Sequence, residues 1–159
     1  MADVDYDMLT RVLAAFEKSG VRYAVFGAIA MSLHGLARHT EDLDVFVEPT
    51  AMNLERVKQA LQSIIADPEI DTIDVAELMG EYPSVRYIPP EGDFYIDIVT
   101  RLGEKFSFAD LDITQVPFEG FRVPVVTPET LYRMKRDTVR AKDRIDADWL
   151  ERSFDFGKK

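Results

Sequence analysis

The stretch Arg38-His39-Thr40-Glu41-Asp42-Leu43-Asp44-Val45-Phe46-Val47 ends in an alternation of charged and apolar side chains, the period of a strand with one face against a core. Successive side chains of an extended strand alternate faces, so Asp42 and Asp44 point the same way while Leu43, Val45 and Val47 point into the core. Two carboxylates then converge on one spot. Like charges held that close raise each other's pKa, and a cation between them removes the repulsion. Hard oxygen donors at this spacing suit Mg²⁺. That ion keeps several waters and is commonly held by one or two carboxylates together with substrate phosphates, which makes a nucleoside triphosphate (NTP) the matching second partner. The competing reading of the same residues is a solvated polar strand face.

Upstream, Val21 to Phe26 is a short apolar run with the character of a buried strand, and Gly27-Ala28 opens a helix-like stretch from Ile29 to Leu36. Small residues at a strand-to-helix turn let the backbone approach a ligand, and the first helical amides point unpaired N–H groups at an anion. Phosphates are therefore expected over Gly27, the alternative being a tight turn with no ligand. Downstream, Asp93-Phe94-Tyr95-Ile96-Asp97-Ile98-Val99 places Asp97 alone in an apolar strand that reads as largely buried. An unpaired carboxylate there is costly. Asp97 completes a three-carboxylate cluster if its strand lies beside residues 42–48. Otherwise it forms a buried salt bridge with Arg22, Arg38, Arg86 or Arg101.

Toward the C-terminus, Thr127-Pro128-Glu129-Thr130 is a helix start, with Thr127 able to cap and Pro128 in the first turn. Leu131, Met134, Thr138 and Ala141 continue an apolar or small stripe. Lys135, Arg136, Arg140, Lys142 and Arg144 then crowd into one stretch of a chain whose formal net charge is −10. So local a basic cluster in an acidic chain points to an anion. The alternative is a solvated helix with pairing from Asp137, Asp143 and Asp146. Asp143 and Asp146 are expected to fix the turn between two C-terminal helices, with Asp146 opening a second amphipathic segment through Trp149, Leu150 and Phe154.

The order of a strand ending in Gly and a small residue, a helix, and then R-x-T-x-D-x-D resembles the nucleotidyltransferase superfamily with the DNA polymerase beta-like fold, and within it the small prokaryotic AbiEii-like proteins. The resemblance extends to a third acidic residue on a later strand, here Asp97, and to a helical Lys…Arg-x-Lys-Asp-x-x-Asp segment, here Lys135…Arg140-Ala141-Lys142-Asp143-Arg144-Ile145-Asp146. It spans roughly residues 21–150. It implies an α/β (α+β) nucleotidyltransferase fold: a mixed sheet flanked by helices, with a C-terminal helical segment. It also implies metal-dependent transfer of a nucleoside monophosphate (NMP) from an NTP to an acceptor hydroxyl with release of pyrophosphate. Asp42, Asp44 and Asp97 would be the catalytic residues and the ligands of Mg²⁺ (or Mn²⁺), with Asp97 also placed to act as base. Gly27, Ala28, Arg38, Thr40, Lys135, Arg140 and Lys142 would contact the nucleotide, Lys135 foremost; for Arg38 the alternative is pairing with neighbouring carboxylates. Where the family commonly has Gly-Gly or Gly-Ser, this chain has Gly27-Ala28. That departure sustains a second expectation, a catalytically degenerate module that binds a nucleotide or a protein partner.

The rest reads as scaffold. Asp7 to Ser19 and Asn53 to Ile65 carry helical apolar stripes. Ser84 to Ile88 reads as a strand stopped by Pro89-Pro90, and Gln115 to Phe118 with Phe121 to Val126 as a hairpin around Glu119-Gly120 outside the catalytic centre. With 159 residues, 47% of them hydrophobic and 30% charged, the chain suits one domain over 1–159, with a sheet-and-helix core over 21–126 and C-terminal helices over 127–155. The chain has no cysteine and two histidines, His34 and His39, too few donors for a credible zinc site. No basic leader and no apolar stretch of membrane-spanning length is present, so a cytoplasmic location is expected. The acidic balance, with a pI near 4.7, argues against a broad nucleic-acid surface. The acceptor stays open among a small molecule, an RNA end and a protein, and a partner protein is expected if the chain is the toxin-like half of a toxin–antitoxin pair.

Overall fold

The computed structural model describes residues 6–36, 42–136, 138, 140–154 and 156. The chain begins with helix α1 (Tyr6–Lys18), strand β1 (Tyr23–Phe26), helix α2 (Gly27–Leu33), strand β2 (Asp42–Val47) and helix α3 (Ala51–Ile64). A 3-10 turn (Pro68–Thr72) and the short helix α4 (Val75–Met79) lead to β3 (Ser84–Tyr87) and β4 (Tyr95–Val99). Then come β5 (Arg101–Leu102), β6 (Phe106–Ser107), β7 (Ile113–Phe118), β8 (Phe121–Val126) and helices α5 (Pro128–Arg136) and α6 (Ala141–Ser153). Six strands form one mixed sheet in the order β3-β4-β2-β1-β8-β7, while β5 and β6 make a separate two-stranded ribbon.

Register sets which side chains share a face. β1 and β2 are antiparallel with Tyr23 opposite Val47, Val25 opposite Val45 and Phe26 opposite Asp44. β2 and β4 are parallel, with Leu43 beside Ile96, Asp44 beside Asp97 and Val45 beside Ile98. Tyr23, Val25, Leu43, Val45, Ile96 and Ile98 therefore form one apolar face, all of them buried. Phe16 of α1 meets Tyr23 edge-on at 5.1 Å, and α1 packs on α3, so this face and the two helices enclose the main core. The opposite face carries Asp42, Asp44 and Asp97. It is not polar throughout: Phe46 shares it and is fully buried, covered by the ring of Phe26 at 5.8 Å.

Local chemistry explains the element ends. The hydroxyl of Thr50 caps α3 by accepting from the Asn53 amide at 3.2 Å. Asn53 is itself buried; its amide nitrogen donates to the carbonyls of Arg22 and Glu48, and its Oδ1 accepts from the Arg22 amide. It thereby ties α3 to the ends of β1 and β2. The β7–β8 turn uses Glu119 and Gly120, both at positive φ, the signature of a two-residue hairpin. β8 pairs in parallel with β1, so the hairpin forms one end of the main sheet.

Two further expectations are corrected. Asp97 is not sunk in the core: its neighbours Ile96 and Ile98 are, but strand alternation turns Asp97 to the open face with its side chain 21% exposed. The second C-terminal helix begins at Ala141 and not at Asp146. Asp143 sits in its first turn and accepts hydrogen bonds from the Thr138 hydroxyl and the Arg140 guanidinium, which anchors the helix start earlier than the apolar pattern indicates.

Candidate active site

Asp42, Asp44 and Asp97 meet because β2 and β4 run side by side in parallel. Among the described residues they form the one group of three potential ligands close enough for a metal, with one carboxylate oxygen from each within 4.8 Å of the others. Burial, the neighbouring charges of Asp42 and Asp97, and a hydrogen bond with Asp97 push the Asp44 carboxyl up to about 8, against a smaller opposing effect of Lys135. A protein that accepts this cost gains when a cation takes the proton's place. The donors are all carboxylate oxygens, which fits a hard divalent ion such as Mg²⁺ or Mn²⁺.

Gly27 is bound to this arrangement by sterics. It adopts φ +74, and a Cβ there would lie 2.1 Å from Asp44 Oδ2. Any side chain at position 27 would displace the carboxylate, and an L-residue would be strained as well. On the other flank, Arg86 of β3 lies opposite Asp97 and grips both its oxygens, Nε to Oδ1 at 2.8 Å and Nη2 to Oδ2 at 3.2 Å. The guanidinium also stacks 4.3 Å from the centre of the Tyr95 ring.

Beside Asp44 opens a cavity of about 740 Å³. Its lining combines the apolar Phe106, Leu131 and Met134 with the basic Lys105, Arg133, Lys135 and Arg140 and the acidic Asp44, Glu104 and Asp143. That volume and polarity suit a nucleotide-sized ligand. Lys135 also braces the C-terminal helices: Nζ donates to Asp143 Oδ1 at 3.2 Å and Asp146 Oδ2 at 2.9 Å, and all three side chains are buried. Burial alone would raise the Asp143 carboxyl. Hydrogen bonds from Arg140 and Thr138, with the charge of Lys135, outweigh it and hold the group below its ordinary value.

The model of the family described as "Nucleotidyl transferase AbiEii toxin, Type IV TA system" matches residues 11–159. The chain belongs to the AbiEii nucleotidyltransferase family. No curated protein sequence matches it. Among solved structures, this AbiEii-family chain is similar to the lincosamide antibiotic adenylyltransferase LnuA in its lincomycin-bound form. The identity is 17% and the TM-score 0.62, covering 94% of this chain and 98% of that one. It is similar also to ANT(2'')-Ia in complex with adenylyl-2''-tobramycin, at 11% identity and TM-score 0.57 over 92% of this chain and 87% of that one. A nucleotidyltransferase-like protein from Paracoccidioides brasiliensis matches at 17% identity and TM-score 0.56 over 89% and 73%. At these identities the likeness establishes the nucleotidyltransferase fold.

Within the AbiEii-family chain, the structure brings Asp42, Asp44, Asp97 and Gly27 together, and Lys135 and Arg140 line the adjoining cavity. Ala28 follows Gly27 in the first turn of α2. Lys142 is exposed on α6 and is not among the cavity's lining residues. Arg38 and Thr40 lie outside the described residues, as does His39. His34 ends α2, where its Nε2 lies 2.8 Å from the Val126 carbonyl oxygen. Asp97 joins the carboxylate cluster and also pairs with Arg86, though in an exposed and not a buried salt bridge. The sequence reading missed Lys105, Phe106 and Arg133. Lys105 and Phe106 belong to the β5–β6 ribbon, whose two-residue strands are too short to leave a periodic signal.

Proposed function

We propose that the chain is a divalent-metal-dependent nucleotidyltransferase that moves an NMP from an NTP to an acceptor hydroxyl. The observation that carries this reading is the convergence of Asp42, Asp44 and Asp97 beside a cavity whose lining includes Lys135 and Arg140. Asp42, Asp44 and Asp97 would hold Mg²⁺ or Mn²⁺, which when bound supplies charge to the phosphates and acidifies the acceptor hydroxyl. Gly27 clears the space in which Asp44 sits and itself lines the cavity. Arg140 and Lys135 offer positive charge from the cavity wall, where negative charge gathers on the phosphoryl oxygens. The acceptor oxygen bonds to the α-phosphorus as the bond to the bridging oxygen of pyrophosphate breaks. The hydroxyl proton passes to a carboxylate oxygen of Asp97, which Arg86 keeps oriented.

The family description supports a toxin-like role with a cognate antitoxin, in a cytoplasmic setting. No described helix is long and apolar enough to cross a membrane. A second reading, a module that binds nucleotide without turnover, draws support from Ala28 and from the engagement of Lys135 by Asp143 and Asp146. Incubation with α-phosphate-labelled NTPs, Mg²⁺ and a cell extract tests the choice. Label transferred to an acceptor with stoichiometric pyrophosphate, and lost in Asp44→Asn, is the expected result. Bound but unconverted NTP favours the second reading, and NMP release alone indicates a phosphodiesterase.

A further inference from the structure

Asp44 lines two adjoining cavities. Next to the one lined by α5, a second cavity of about 610 Å³ is bounded by Ser84 and Arg86 of β3, Asp97 of β4 and Arg101 of β5. Both share Phe26, Asp44, Leu102 and Gly103 in their walls. An in-line displacement needs the attacking hydroxyl and the leaving pyrophosphate on opposite sides of the phosphorus. With the triphosphate on the α5 side, the second cavity is the side left for the acceptor. Its volume suits a small molecule or one residue of a larger one.

Among the described residues, the carboxylates lining this second cavity are Asp44 and Asp97, and Asp97 is already matched by Arg86. Arg101 is exposed and makes no ion pair with a described carboxylate. With Asp97 matched by Arg86 and a divalent ion balancing Asp42 and Asp44, the surplus charge among the described lining residues is that of Arg101.

Resting on the nucleotidyl-transfer reading, we propose that this cavity is the acceptor site and that Arg101 selects an acceptor bearing an anionic group, phosphate or carboxylate, beside its reacting hydroxyl. Arg86 stays committed to Asp97. A cationic acceptor meets the Arg101 guanidinium and is turned away by like charge. The acceptor oxygen gains the α-phosphorus, pyrophosphate leaves toward the α5 cavity, and the anionic group stays on Arg101.

Four sugars that differ mainly in charge test this: D-glucose, D-glucose 6-phosphate, D-gluconate and D-glucosamine. Each is titrated by NMR into the full chain with Mg²⁺ and a non-hydrolysable ATP analogue, following the amides of Ser84 and Arg101 and the Arg101 Nε–H. Glucose 6-phosphate or gluconate is expected to shift these signals, and whichever binds tighter names the anion. Glucose and glucosamine are expected to bind at least about tenfold more weakly, as is the preferred anion in Arg101→Gln and Arg101→Glu. No response to either anion, an equal response to glucose, or unchanged binding in both variants overturns the proposal. The analogue's own shifts at Gly27 and Lys135 are read before any sugar is added. If those are absent while Arg101 still responds to the anions, the nucleotidyl-transfer reading fails and the anion site stands.

Discussion

Asp44→Asn is expected to stabilise the metal-free protein while abolishing its response to metal. The carboxyl ionises near 3.8 in its ordinary state and near 8 in the fold. A group whose folded pKa is raised contributes stability that is complete below the lower value and lost as pH climbs toward the higher one. Near pH 7 the loss spans about three units, or about 4 kcal/mol at ~1.4 kcal/mol per unit. An asparagine does not ionise, and its amide can donate to Asp97 as the protonated Asp44 carboxyl does. For a chain of this size ~1 kcal/mol moves the midpoint by roughly 2–4 °C. The variant should therefore melt roughly 8–16 °C above the wild type in EDTA. Differential scanning calorimetry at several pH values between 5 and 8, with EDTA and with millimolar Mg²⁺, reads both effects. The wild type should lose stability with rising pH in EDTA and regain it with Mg²⁺; the variant should show a flatter profile and no gain. A variant that melts at or below the wild type in EDTA, or an equal gain from Mg²⁺ in both proteins, refutes the electrostatic reasoning.

Two other substitutions probe the scaffold of the site. Gly27→Ala forces a Cβ against Asp44 Oδ2 at a positive φ, so Mg²⁺ affinity measured by calorimetry should fall at least about tenfold, with a stability loss on the order of 1–3 kcal/mol from backbone strain. Wild-type metal affinity in that variant would mean that Asp44 does not need its observed position. Lys135→Met leaves Asp143 and Asp146 buried without their shared cation, and denaturant unfolding should show a loss of about 3–5 kcal/mol. Adding Asp146→Leu should recover part of that loss, and a Lys135→Met protein as stable as the wild type would show that the buried triad does not hold α5 to α6.

The site was legible where strand alternation and motif spacing coincide. Asp42 and Asp44 announce themselves by period, and Asp97 by standing in an apolar strand, so their convergence follows once β2 and β4 are neighbours. Chain alternation does not reveal which face of β4 is covered, which is why Asp97 read as buried. The clash that makes Gly27 obligatory depends on the Phe26–Asp44 register between antiparallel strands, a long-range fact with no local signature. The burial of Lys135 was not legible, because it arises from α6 folding back so that Asp143 and Asp146 reach it. The second cavity was invisible for the same reason, since Arg86 and Arg101 are brought together by a sheet edge and a two-residue strand.

The most direct test of the carboxylate cluster as a metal–triphosphate site is calorimetric titration of each of the four NTPs with Mg²⁺ into the wild type and into an Asp42→Asn/Asp44→Asn variant. Binding of at least one NTP by the wild type, dependent on Mg²⁺ and lost in the variant, is the predicted result. Equal binding by both proteins, or binding by neither, would contradict it.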